Sequence, residues 1–304
     1  MQNCDIETRS IRRPRIEWPT LGVLAGCYAL WLAATALGTA APWLAVPVLA
    51  VALTLHSSLQ HEATHGHPTR NRRLNTALVF PALGLFVPYG RFRDTHMAHH
   101  RDERLTDPYD DPESNYLDPA MWHRLPVPVR AVLRANNTLL GRVLLGPAVS
   151  MAVFWVEDAG KILAGDRRVR TAWAEHPFAL LPVIAWLVWV GFPLLPYLAA
   201  AYLGMGILKI RTFLEHRAHE EACGRTVIIE DRGPLAFLFL NNNFHAVHHM
   251  RPWLAWYELP GAYRAARGAV LARNAGYRYR SYAEVMRRFL LRAKDPVPHP
   301  LWRP

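Results

Sequence analysis

Charge is scarce in this chain, and the scarcity is local. Only 19% of the 304 residues are Asp, Glu, Lys or Arg, against about 25% in ordinary soluble domains. None of the four occurs from Trp18 through Gln60 or from Pro177 through Leu208. Gaps of that length exclude an ordinary soluble domain and read as membrane spans, because a helix needs about 20 apolar residues to cross roughly 30 Å of hydrocarbon. Cysteine is sparse too. Cys4, Cys27 and Cys223 are odd in number and show no paired spacing, which excludes a disulfide framework. A formal charge of +11 raises nucleic acid as a partner. The basic residues, however, sit in short clusters beside apolar runs with no recognition motif, so no nucleic acid is expected.

The first uncharged run has room for two crossings. Gly38-Thr-Ala-Ala-Pro42 supplies the break, giving spans over 19–37 and 43–58 joined by a very short turn. A signal peptide would have a shorter apolar core and no second span directly after it, so cleavage is not expected. The second run breaks at Gly191, Pro193 and Pro196 into spans over 178–190 and 194–208. Arg9, Arg12, Arg13 and Arg15 precede the first hairpin, and Arg70, Arg72 and Arg73 follow it. Arg167, Arg168 and Arg170 precede the second, and Lys209 and Arg211 follow it. Basic residues mark the cytoplasmic side, so both termini are expected there. Residues 74–90 are uncharged but interrupted by Pro81, Gly84 and Pro88, and read as a re-entrant segment, which is permitted where protein covers the backbone. The expected organisation is a cytoplasmic N-terminal segment over 1–17, a membrane domain over 18–260 and a basic cytoplasmic helical segment over 261–304. Within the last, Ser281-Tyr-Ala-Glu284 is a capping box. Val129 to Trp155 mixes arginines with leucines and valines and reads as a surface-lying helix.

What the chain has in excess is histidine. Nine of its fifteen fall into tight sets: His61 and His65; His96, His99 and His100; His216; and His245, His248 and His249. Helical residues three or four apart share a face. His61 and His65 therefore project together, His96 shares a face with His99 and His100, and the same spacing returns at His245, His248 and His249. Two triplets and a pair, all expected on one side of the membrane, point to metal binding. Eight or nine imidazoles are too many for one ion and suit two. Imidazole suits zinc, copper, iron and nickel, so ligand type leaves the metal open.

His61-Glu-Ala-Thr-His65, His96-Met-Ala-His99-His100 and His245-Ala-Val-His248-His249, separated by the two hairpins, resemble the boxes of the integral-membrane fatty acid desaturase superfamily. That superfamily includes acyl desaturases, hydroxylases and carotenoid ketolases, and the resemblance covers 18–260. It implies an all-α membrane protein, with two transmembrane helical hairpins and a cytoplasmic helical cap holding a histidine-rich di-iron site. It also implies an oxidoreductase that uses O2 and two electrons to desaturate an aliphatic C–C bond of a fatty acyl lipid or small metabolite. Hydroxylation or ketone formation is the alternative within the superfamily.

The eight box histidines carry over as ligands of two iron ions, and no catalytic residue beyond the metal ligands is implied. Members recruit a further ligand before the last box. His216, in Glu215-His216-Arg217, is expected to be that ligand, with His219 at i+3 as its competitor. Glu62, Asp94, Asp107, Asn242 and His219 are candidates to hold the second N–H of a bound imidazole. Asp102, Asp110 and Asp111 belong to the same acidic group, around the Asp-Pro-rich turn from Leu105 to Glu113. With no haem domain and no ferredoxin cysteine cluster, the chain needs a separate electron donor of ferredoxin, rubredoxin or cytochrome type. Membrane lipid is the expected surrounding. The expected place is a bacterial inner membrane with the active site facing the cytoplasm, and the oligomeric state is left open. A rival reading of another class is a membrane zinc metalloprotease. His61-Glu62-Ala-Thr-His65 fits its HExxH motif, with Glu62 as general base, but both triplets are then unexplained.

Overall fold

A computed structural model describes residues 15–303. Cys4, Arg9, Arg12, Arg13 and most of the expected 1–17 segment lie outside the described residues. α1 (Trp18–Leu37) and α2 (Pro42–Thr64) are followed by the shorter α3 (Arg72–Val79) and α4 (Tyr89–His99). Next come α5 (Pro119–Arg124), α6 (Val127–Asn136), α7 (Leu139–Leu144) and α8 (Gly146–Leu163). The chain continues through α9 (Arg167–Val190), α10 (Leu194–Thr212), α11 (Pro234–Leu238), α12 (His245–Met250), α13 (Leu259–Arg273) and α14 (Tyr282–Phe289). Two short strands, β1 (Ile228–Ile229) and β2 (Arg278–Tyr279), pair in parallel. The chain divides into two compact units. Among the described residues, one joins 15–94 with Val143–Lys209, and the other joins Thr95–Arg142 with 210–303.

The first unit contains four helices long and apolar enough to cross a membrane: α1 with its continuation to Ala40, α2, α9 and α10. The first hairpin turns at Gly38–Ala40. A Cβ on Gly38 would lie 2.7 Å from that of Ala45, so this close reversal requires glycine. α9 stops at Gly191, whose φ of 75° is the left-handed cap that glycine adopts without strain. α9 begins well before the apolar stretch, because Asp166 caps it by accepting the N–H groups of Arg168 and Val169. Trp31, Leu49, Leu53, Leu83, Val183, Leu187 and Tyr197 form the apolar core of this unit. Leu37, Leu44, Phe178, Val188 and Trp189 are exposed by 70 to 83%, an outward apolar surface suited to hydrocarbon.

No helix in 74–90 is long enough to cross. α3 ends at Val79 and α4 begins at Tyr89, and the irregular stretch between them has its backbone satisfied by protein. The Ala82 N–H donates to the Ala179 carbonyl (2.9 Å). The Tyr197 hydroxyl donates to the Leu83 carbonyl (2.9 Å), and His176 Nε2 to that of Leu85 (2.7 Å).

The single surface-lying helix expected over 129–155 is instead three helices. Asn137 closes α6, and Pro147 sits in the first turn of α8. The charges do not all face water, either. Arg142 turns inward and donates to the Asn136 carbonyl (2.9 Å). Asp158 of α8 is fully buried and takes two 2.8 Å hydrogen bonds from Arg91 of α4 and a 2.7 Å bond from the Trp173 indole.

In the second unit Ile228, Phe244, Val247, Leu254, Leu259, Tyr263 and Val270 make the core. The hydroxyl half of the expected capping box of α14 forms, while its acid reaches one residue further back. The Ser281 hydroxyl accepts the Glu284 N–H (3.2 Å), and the Glu284 carboxylate reaches back to the N–H of Arg280 (2.6 Å). After Phe289 the chain runs on without helix as far as His299. It docks by backbone bonds from the Leu140 N–H to the Leu290 carbonyl and from the Leu117 N–H to the Val297 carbonyl, each 3.0 Å.

Candidate metal centre

Within the second unit seven histidines converge from three pieces of chain. The last turn of α4 carries His96 and His99, and His100 follows directly. α12 opens with His245 and carries His248 and His249. Leu240 and Asn241 turn the chain into it with φ of 48° and 53°, a backbone that asparagine tolerates. His216 lies on extended chain opposite Thr226.

His99, His216, His245 and His249 each offer a ring nitrogen within 4.8 Å of the others. His216 Nε2 lies 2.9 Å from His99 Nε2 and 3.1 Å from His245 Nε2. His96, His100 and His248 form a second group, with His100 Nε2 3.0 Å from His96 Nε2 and 3.1 Å from His248 Nε2. Each triplet is therefore shared between the groups. At 3.6 residues per turn, position i+4 is rotated by about 40° from i and position i+3 by about 60° in the opposite sense. Positions i and i+4 go together and i+3 goes elsewhere. His96 and His100 serve the second group while His99 serves the first; His245 and His249 serve the first while His248 serves the second.

The outward ring nitrogens are held by acceptors. His96 Nδ1 donates to Glu113 Oε1 (3.0 Å), His99 Nδ1 to Asp111 Oδ1 (2.8 Å) and His245 Nδ1 to Asn242 Oδ1 (3.1 Å). A carboxylate only accepts, so Nδ1 carries a hydrogen, and in the neutral ring the inward Nε2 presents a lone pair. Lone pairs about 3 Å apart repel one another unless a proton or a metal ion lies among them. This all-imidazole donor set, oriented from behind by carboxylates, fits a divalent transition metal such as iron or zinc. Burial, reinforced by neighbouring imidazoles, holds His216 and His245 well below the usual histidine pKa, so both are neutral, as ligands must be. Burial acts in the same direction on His99, but Glu113 and Asp111 outweigh it and push the ring up to about 9. Metal binding at His99 would thus release a proton.

His61 and His65 lie in the other unit, at the end of α2, with ring centroids 5.0 Å apart and the buried Glu62 carboxylate 3.6 Å from His61 Nδ1. His219 joins neither group, and its Nδ1 meets the Glu221 backbone at 3.2 Å. His216 and His219 would share a face only if α10 continued through them, and α10 stops at Thr212. Asp94 pairs with the neighbouring Arg93 guanidinium (2.9 Å) rather than with an imidazole. Asp107 caps its own turn by accepting the N–H groups of Tyr109 (2.8 Å) and Asp110 (2.9 Å), which are its nearest donors. Asp111 and Glu113, later in the same turn, hold the histidines instead. Glu215 is a third acid in the surroundings, accepting from Asn242 Nδ2 (3.2 Å) and pairing with Arg211 (3.0 Å). Sequence reasoning missed the role of Glu113, and no spacing rule could have found it, since it lies 17 residues from its histidine across an irregular loop.

Asp111→Asn is expected to weaken metal retention or activity about 10- to 100-fold, the usual scale for losing a carboxylate behind a ligand. Asp107→Asn should change neither. Chelator competition on the two purified variants checks both.

A family model described as fatty acid desaturase matches residues 37–281. The chain is also similar to a beta-carotene ketolase from Paracoccus sp., with 28% identity over 263 residues, covering 79% of this chain and 90% of that protein.

Proposed function

Because the chain belongs to the fatty acid desaturase family, and is thereby a membrane oxidoreductase of the desaturase and hydroxylase type, we propose that it uses O2 and two electrons to oxidise an aliphatic carbon of a lipid at a pair of iron ions. The observation that carries this reading is the convergence of ring nitrogens in two histidine groups, with Nδ1 of His96, His99 and His245 held from behind. His99, His216, His245 and His249 would hold one ion. His96, His100 and His248 would hold the other, with His61 and His65 added on the strength of the family's boxes. Iron held this way supplies the reductive activation of O2 that breaking an unactivated C–H bond requires. The protein's own part is orientation. Asp111, Glu113 and Asn242 fix the tautomers of His99, His96 and His245, and the burial of these rings keeps bulk water from them. The zinc protease reading is not favoured, since a single ion with three ligands would leave most of these histidines without a role.

Desaturation removes two hydrogens, whereas oxygen insertion adds an oxygen, and both begin with the same hydrogen abstraction. Similarity to a protein named for ketone formation on beta-carotene favours oxygen insertion into an apolar hydrocarbon as a second reading beside acyl desaturation. Expression with a ferredoxin and its reductase, in membranes containing defined acyl lipids and beta-carotene, followed by mass spectrometry, separates the two. An acyl chain lighter by two hydrogens supports desaturation. A carotenoid that gains one oxygen and loses two hydrogens supports ketone formation. An iron-loaded protein that leaves both unchanged in the presence of donor and O2 would overturn the proposal.

The basic residues flanking both hairpins favour a cytoplasmic site in an inner membrane, served by a separate and acidic electron donor. Alkaline phosphatase fused after Arg70 or after Gly165 is expected to be inactive, and fused after Thr39 to be active. An exported Arg70 fusion would put His61 and His65 on the wrong side of the membrane for a shared site.

A further inference from the structure

Residues 290–299 contribute no histidine to either group, yet they reach what holds two of those histidines. The Lys294 ammonium donates to the main-chain carbonyl of His216 and lies 3.4 Å from the Asp295 carboxylate. That carboxylate accepts the Tyr116 hydroxyl, whose oxygen in turn accepts the Ala218 N–H at 2.9 Å. The backbone on both sides of Arg217 is thus tied to two adjacent residues of the C-terminal segment. On a second branch, His299 Nε2 meets the Thr106 hydroxyl at 3.2 Å. The Thr106 N–H donates to one oxygen of Asp111 (2.9 Å), and the other oxygen holds His99 Nδ1 (2.8 Å). The His299 ring also stands edge-on to Tyr116, with centroids 4.9 Å apart, which joins the two branches.

The segment is itself well anchored. The Lys294 N–H donates to the Asn137 carbonyl (3.1 Å), the Asn137 side-chain amide to the Asp295 carbonyl, and the His299 N–H to the Leu117 carbonyl (2.8 Å). The Lys294 side chain is only 9% exposed, and a buried ammonium persists only where it is hydrogen-bonded and paired, so the His216 carbonyl and Asp295 fix its position.

We propose that residues 290–299 are a positioning strap that sets His216 against His99, with Lys294 and Asp295 as its positioning residues. His99 and His216 are 117 residues apart in sequence, and His216 has no helix to fix its ring, yet their Nε2 atoms stand 2.9 Å apart. A common anchor supplies the constraint that local structure does not. The strap rests on the reading of His99, His216, His245 and His249 as a metal site.

The full chain, purified in detergent and loaded anaerobically with Fe(II), or with Co(II) as a spectroscopic probe, is the material for the test. Wild type is expected to bind two ions. Lys294→Met should keep its thermal unfolding midpoint while losing one ion and about half of the cobalt absorption, and Lys294→Arg, which retains the donor and the charge, should keep both ions. If Lys294→Met does not fold, Asp295→Asn takes its place with the same expectation. Two ions with unchanged spectra in a folded variant overturn the strap alone. Loss of both ions from a folded variant overturns it by showing a general rather than a local role. A wild type that binds neither iron nor cobalt overturns the metal-site reading and takes the strap with it.

Discussion

His99→Ala is expected to abolish turnover and to leave one iron of two on the protein. The substitution removes the Nε2 that stands 2.9 Å from His216, and water is a poor replacement for imidazole in an otherwise all-nitrogen set. It also leaves Asp111, 5% exposed, with no ring N–H to accept, although the amides of Thr106 and Glu113 still hold it in place. The loop should therefore survive and the loss should be confined to the metal. His219→Ala is the matched control, because that ring is held at the Glu221 backbone and belongs to neither group. Elemental iron and turnover measured together decide the matter. Full occupancy in His99→Ala, or loss of iron in His219→Ala, would refute the assignment.

The second large effect concerns stability. Asp158→Ala is expected to lower the stability of the protein by about 3–5 kcal/mol, the cost of leaving a buried charge without its partner. Asp158 is fully buried, Arg91 is 6% exposed, and the Trp173 indole loses its acceptor as well. Because Arg91 lies on the helix that ends in His96 and His99, weaker metal retention should accompany the lower unfolding midpoint. Replacing both charges, as in Arg91→Met with Asp158→Leu, should recover most of the loss, since an apolar pair of similar volume requires no desolvation. A midpoint unchanged in Asp158→Ala would show that the ion pair carries no stability.

The four long helices and the two histidine triplets were legible because each is written in local sequence. Uncharged runs, Gly38 and Gly191 at the turns, and a repeated i, i+3, i+4 spacing need no knowledge of distant contacts. The split of each triplet between two groups was implicit in the same spacing, since 3.6 residues per turn cannot place i+3 and i+4 on one line. Asp111 was named among the candidates but not set apart from them, and Glu113 was not named as one, in a loop where four acids look alike; only the fold separates the one that caps the turn from those that hold an imidazole. The expected helix over 129–155 fails for a related reason. Arginine at helical spacing suggests a wet face, but Arg142 finds the Asn136 carbonyl and turns inward. His216 was favoured over His219 on its flanking residues; a longer α10 would have put the two on one face, but Thr212 ends it and the following chain is extended.

One residue inserted after Met97 would swing His99 and His100 by about 100° about the axis of α4 relative to His96, so that both groups lose members in a single step. Insertion after Ala246 would do the same from the other end. Side-chain identity between the histidines is under a different constraint at each box, since Met97 is 46% exposed whereas Ala246 and Val247 are buried at 6% and 2%. The first interval can drift in composition and the second only among small or apolar residues, but neither can drift in length. A change of length in either box cannot yield a protein that keeps one metal pocket intact while it remodels the other.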